Sequence, residues 1–174
     1  MSSIVISGDS SGSITLAAPS VAGSNTITLP ASTGTVVTTG SPATGNVIQV
    51  VSSLYSTTSS VASTTPAATG LTATITPKFS TSKIYLSVSS SGGQTTSGRS
   101  GFFYIYKNGS SIAKIETGDG TSTSYFTVCL TYLDSPATTS ATTYAIYIAT
   151  DGVGTNYFAA SSSPSTMTLM EIAG

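Results

Sequence analysis

From Tyr125 to Tyr132 the chain alternates without a break, with Phe126, Val128, Leu130 and Tyr132 in one row and Tyr125, Thr127, Cys129 and Thr131 in the other. A period of two places successive side chains on opposite faces of a pleated strand, and a helix would scatter both rows. The pattern recurs along the chain. Ile84, Leu86 and Val88 line one face of a second strand, and Phe102, Tyr104 and Tyr106 line one face of a third with Phe103 and Ile105 opposite. Tyr144, Ile146 and Ile148 repeat it, as do Met167 and Leu169. Competing helix formers are scarce, because charged residues make up only 6% of the chain. Serine and threonine fill more than a third of it. Threonine, β-branched and aromatic side chains fit half-buried pleated surfaces, so an all-β fold is expected.

Turn signals divide these strands. Asn108-Gly109 sits between Tyr104–Lys107 and Ile112–Ile115, the dipeptide that best specifies a tight hairpin. It also opens an Asn-Gly-Ser sequon, which is read here as the hairpin turn alone. Further breaks fall at Gly118-Asp119-Gly120, Asp134-Ser135-Pro136, Asp151-Gly152 and Ser163-Pro164. About eight strands separated by such turns predict an antiparallel β-sandwich, jelly-roll-like in type. Strands that are apolar on both faces, such as Gly101–Tyr106, need cover on both sides. Few Lys or Pro residues protect the edges. Both features point to an oligomer.

Residues 1–45 differ from the rest, containing no aromatic and no basic residue. They read as short strand-like pieces at Ser3–Ser7, Ser13–Ala17, Asn25–Leu29 and Thr35–Thr38, punctuated by Gly, Pro and Ser. A loose repeat relates Ile14-Thr15-Leu16 to Ile27-Thr28-Leu29. Ordering costs about 1–2 kcal/mol per residue, and two or three apolar side chains per piece do not offset it. This segment needs a partner. The expected organisation is an extended arm over 1–45, anchored through Ile14, Leu16, Ile27 and Leu29, and a sandwich head over 46–174.

The absence of histidine removes the usual proton carrier of catalysis near neutral pH. Gly8-Asp9-Ser10-Ser11-Gly12 has the look of a serine nucleophile region but has no base to activate it, and reads as a polar turn. No catalytic residue, cofactor or metal site is expected. Asp9, Asp119 and Asp151 each adjoin glycine and are isolated from one another, unlike the converging ligands of a calcium loop; a cation shared at a subunit axis is the remaining alternative. The net charge of −1 with five dispersed basic residues argues against nucleic acid, which is held by clustered Lys and Arg. No apolar run approaches the length of a membrane span. Met1-Ser2-Ser3-Ile4-Val5-Ile6 lacks the basic start of a signal peptide, so synthesis in the cytoplasm without a leader is expected. The single Cys129 is expected to be a buried free thiol. Glu171, in register with Met167 and Leu169, is read as an exposed strand end, or else as an interface carboxylate paired with Lys or Arg.

Two stretches resemble phage virion proteins, in particular tail-fibre and accessory structural proteins of cyanobacterial and marine phages. The first runs from Gly8-Asp9-Ser10-Ser11-Gly12-Ser13-Ile14-Thr15-Leu16 to Thr26-Ile27-Thr28-Leu29-Pro30-Ala31-Ser32-Thr33-Gly34-Thr35-Val36 and is similar to an N-terminal attachment arm. The second comprises Ser82-Lys83-Ile84, the Tyr106-Lys107-Asn108-Gly109 turn, Tyr132–Ser140 and Thr168-Leu169-Met170-Glu171-Ile172, and is similar to a C-terminal β-sandwich module. The resemblance implies a homotrimer in the virion, bound by its arm to other virion proteins of baseplate, tail or capsid, with the head exposed. A long repetitive shaft is missing, so a capsid decoration (cement) protein or a head fibre is the alternative to a short tail fibre contributing to host attachment. A glycosidase-like pair of carboxylates has no counterpart in this sequence. Recognition, with a host surface glycan as the candidate partner, is expected in the loops Ser90–Gly101, Thr117–Ser124 and Thr150–Asn156, with Arg99, Asp119 and Tyr157 as candidate receptor contacts.

Overall fold

A computed structural model describes residues 3–17, 19–21, 23–24, 26, 31, 33–34, 36–38, 40–96, 99–117 and 124–174. The chain divides into two compact units, Met1–Val36 and Val37–Gly174. Among the described residues the only helical piece is a single 3-10 turn at Ala160–Ser162; the rest of the regular structure is antiparallel β.

Among the described residues the first unit contains one hairpin, β1 (Ser3–Ser7) against β2 (Ser13–Ala17). Gly8–Gly12 forms its turn, closed by Gly8 N–H donating to Gly12 O at 3.0 Å. The serine-rich string that imitates a hydrolase motif is thus a connector. Asn25–Leu29, and with it Ile27 and Leu29, lies outside the described residues. At Thr35–Thr38 the described backbone shows one isolated bridge, Thr38 to Ser41.

The second unit is built from β3 (Val47–Tyr55), β4 (Ser59–Val61), β5 (Ala67–Ile75), β6 (Lys83–Gln94), β7 (Gly101–Lys107), β8 (Ser110–Thr117), β9 (Ser124–Asp134), β10 (Thr142–Thr150), β11 (Asn156–Phe158) and β12 (Ser165–Ile172). Its pairings are nested. β7 pairs with β8, β6 with β9, β5 with β10 and β3 with β12, as in one long hairpin whose innermost turn is Asn108-Gly109. That ribbon is then rolled over on itself, so that β10 also pairs with β7 and β12 with β6. The result is a sheet in the order β5-β10-β7-β8 facing one in the order β3-β12-β6-β9, which is jelly-roll connectivity. β6 is long enough to carry β12 along the first part of one edge and β11 beyond it, and β11 in turn holds β4.

The inner rows of both sheets interdigitate. Leu86, Val88, Val128, Leu130, Met167 and Leu169 meet Leu71, Ile75, Phe103, Ile105, Ile146 and Ile148 in one core. Phe103 sits at its centre, edge-on to Phe126 at 6.1 Å and tilted against Phe158 at 6.5 Å. Each large aliphatic or aromatic side chain buried this way contributes about 1.5–3 kcal/mol, and this lets the unit stand without charge networks.

Strands were missed where alternation is written in small residues. In β5 the inward row is Thr69, Leu71, Ala73 and Ile75, whose small members weaken the signal. The expected loop Ser90–Gly101 is corrected: β6 continues to Gln94 and β7 starts at Gly101, leaving 95–100 as connector. Gly92 and Gly93 look like loop residues but lie in the ladder beside Phe126 and Tyr125. A Cβ at Gly92 would run into the Phe126 ring, so the gap is needed for that ring to pack.

Candidate functional site

In the arm hairpin, Ile4 faces Leu16 and Ile6 faces Ile14 across the ladder, so period two puts all four on one face. Each is between 55% and 66% exposed. Sequence reasoning identified Ile14 and Leu16 but not Ile4 and Ile6, although Ile4-Val5-Ile6 alternates in the same way. Ordering ten strand residues costs about 10–20 kcal/mol, whereas complete burial of four aliphatic side chains returns about 6–12. A two-stranded hairpin is marginal in water even in favourable cases. This face is therefore built to be covered.

The head has two distinct ends. At one, Gln94 pairs with Ser124 and Asn156 while Gly101 pairs with Thr117 and Thr150, so the strand ends that bound 95–100, 118–123 and 151–155 gather there. At the other, Ile75 pairs with Thr142, Ile84 with Asp134, and Ile172 with Lys83 and Val47. The chain enters the head at this second end. Gly45 N–H donates to Ala173 O at 2.8 Å, and Ala173 N–H donates to Asn46 O at 2.9 Å.

At the loop end, Arg99 lies 3.6 Å from Asp151 with its own side chain 47% exposed. Asp151 also accepts from Val153 N–H at 3.1 Å and more distantly from Ser100 N–H at 3.4 Å, which makes it a turn-forming residue. Asp119 lies outside the described residues. Tyr157 is half-buried in β11 between Ser60 and Gly93, a ladder position rather than a loop tip. Beneath the loops, Asn156 is buried and donates through Nδ2 to Ala149 O at 3.1 Å and Phe102 O at 3.2 Å. A Cβ on Gly101 would come within 2.6 Å of Gln94 Nε2 and 2.8 Å of Asn156 Oδ1, so glycine is what lets both amides occupy this floor.

Two polar clusters are structural. Glu171 is fully buried on β12, which corrects its reading as an exposed strand end. Its partners are neutral donors in place of Lys or Arg: Gln49 Nε2 at 2.6 Å, Lys78 N–H at 2.7 Å and Phe79 N–H at 3.3 Å. Burial pushes its pKa up, but the Ser82 hydroxyl, the Gln49 amide and the two backbone amides outweigh that and hold it below the ordinary carboxylate value. Ser82 Oγ makes no hydrogen bond of acceptable geometry, so it acts as a nearby dipole. The second cluster ties the two sheets together. Lys107 Nζ reaches both oxygens of Asp134 at 3.0 and 2.9 Å, and Tyr144 Oη donates to Asp134 at 2.7 Å. Burial, then the hydrogen bond and charge of Asp134, raise the Tyr144 phenol far above its usual pKa.

Cys129 is exposed, correcting the expectation of a buried thiol. Phe126, Val128, Leu130 and Tyr132 take the inner face of β9, and alternation sends Cys129 outward. On the outer face of the smaller sheet, Tyr106 stacks on Tyr147 at 3.9 Å and Lys114 Nζ lies 3.7 Å from the centre of the Phe102 ring. The Tyr55 hydroxyl is hydrogen-bonded with Ser59 Oγ at 2.9 Å. Among the described residues no three His, Cys, Asp or Glu side chains gather as a metal site, and no helix is long and apolar enough to cross a membrane.

The described residues define a β-hairpin unit followed by a jelly roll. No family model matches the chain, and no curated protein matches it. Solved structures that match include two of infectious bursal disease virus. A chain of the Gt strain structure is 11% identical over 97% of this chain, and one of the Gx strain structure is 12% identical over 94%, both at a TM-score of 0.43. This chain spans 46% and 43% of the length of those two chains. The fold assignment rests on the strand connectivity.

Proposed function

We propose that this protein is a non-enzymatic virion structural protein, a short trimeric tail fibre of a phage that binds the particle through its arm and contributes to host attachment through its head. The observation that carries this reading is the polarity of the head, in which the chain enters at one end and the strand ends that bound 95–100, 118–123 and 151–155 gather at the other. An anchored protein with this arrangement presents its loops outward, where recognition residues collect on a rigid scaffold. The uncovered apolar face of the hairpin supports an anchoring role for the arm, and the likeness of both stretches to phage virion proteins supports the setting.

Arg99→Ala in an infectious phage tests it. The expected result is slower adsorption to host cells with normal assembly. Unchanged adsorption, with copies spread over the whole shell in cryo-electron microscopy rather than confined to the tail, would replace this reading with a capsid decoration protein.

A further inference from the structure

The two outer faces of the head are not equivalent. On the smaller sheet Tyr106 stacks on Tyr147, Lys114 lies over Phe102, and Phe102, Tyr104, Tyr106 and Tyr147 are all half-buried. The larger sheet differs. Met170 stands opposite Val50 on one side and Tyr85 on the other, and Tyr85 stands opposite Leu133. One apolar row therefore crosses all four strands. The next row is Ser52, Thr168, Ser87 and Thr131, and the one beyond is Leu54, Thr166, Ser89 and Cys129. These three rows contain no charged residue. Val50, Leu54 and Leu133 in them, and Tyr125 further along β9, are between 50% and 73% exposed.

We infer that this face is covered by a second copy of the same chain, and that it forms the contact between protomers. The inference rests on the oligomer proposed above and names its surface. The chemistry is self-matching: each hydroxyl donates and accepts, so hydroxyl rows satisfy one another, and three rows without charge bury none unpaired, while Lys83, opposite Ile172, stays at the rim of the face. A foreign partner selected by charge would find nothing here to select. Four strands about 4.8 Å apart, over the five residues per strand that the three rows span at about 3.3 Å each, offer roughly 19 by 17 Å, or about 320 Å² of flat face, and β6 and β9 carry it further to Gly93 and Tyr125. These rows form the centre of a contact that in a stable interface covers about 800 Å² per partner.

Cys129 lies in the third row and serves as an internal reporter. On the full-length protein, native mass spectrometry gives the copy number and N-ethylmaleimide gives the accessibility of the thiol. The expected result is an oligomer in which Cys129 reacts at least about tenfold more slowly than in a dissociated chain. Ser87→Arg, whose side chain points away from the core, should yield a folded single chain with a fast-reacting thiol. Thr72→Arg, on the outer face of the smaller sheet, should leave the assembly intact. An oligomer whose Cys129 reacts at the single-chain rate, and which survives Ser87→Arg, would overturn this interface and leave the oligomer standing. A full-length protein that is a single chain at micromolar concentration would overturn both.

Discussion

The Glu171 carboxylate holds the connector between β5 and β6 against β12 by accepting from the Lys78 and Phe79 amides. A group whose folded pKa is depressed adds stability that is fully present above its unfolded value, here 4.5, and lost as pH falls through the folded value. The melting temperature should therefore stay level near neutrality and fall below about pH 4.5. Glu171→Gln places an amide N–H₂ or a weaker carbonyl acceptor against the Lys78 and Phe79 amides. The loss at pH 7 should be about 1–3 kcal/mol, with a shallower acid dependence than the parent. Thermal melts of both proteins from pH 3 to 7 check this, and an identical acid slope would show that other carboxylates govern it.

At the scale of elements, the β7–β8 hairpin sets the register for the roll. Asn108 and Gly109 have φ of 47° and 83°, both positive as a type I′ turn requires. Asn108 also extends the neighbouring ladder, since its N–H donates to Thr143 O and its Oδ1 accepts from Thr143 N–H, each at 2.9 Å. The turn dipeptide thus ties β7, β8 and the start of β10. Gly109→Ala forces a Cβ into the left-handed region at a cost of about 1–2 kcal/mol. Denaturant unfolding should show that loss in the midpoint with the slope unchanged; an unchanged midpoint would mean the turn adapts at no cost.

For the whole molecule, the separation into two units predicts independent behaviour. Removing residues 1–36 should leave a head that melts within a few degrees of the full-length protein, because its core lies entirely in 37–174. The same truncation should abolish incorporation into particles, and normal occupancy without the arm would move the anchor elsewhere. Stability should also depend little on salt. The chain carries five basic and six acidic side chains, and two ion pairs occur among the described residues. A melting temperature that shifts steeply between low and moderate ionic strength would reveal charges clustered at an interface. No transition near pH 6 is expected, as there is no histidine to titrate.

That the chain is β, where its tight turn falls and which residues share a face were legible from the residues alone. Period-two alternation is a local property of the backbone and survives in any packing of the strands. Which face became interior was a different matter for β9, because both of its rows carry large apolar side chains. Only the opposing sheet, by receiving Phe126, Val128 and Leu130, decided that Tyr125 and Cys129 would face out. Glu171 shows the same limit for a charge. Its place in the inner row beside Met167 and Leu169 was legible, but burial required donors from Gln49 and from Lys78, 122 and 93 positions away in the chain. A carboxylate leaves water only where such donors converge on it, and rolling the nested strands into a sandwich is what brings them together.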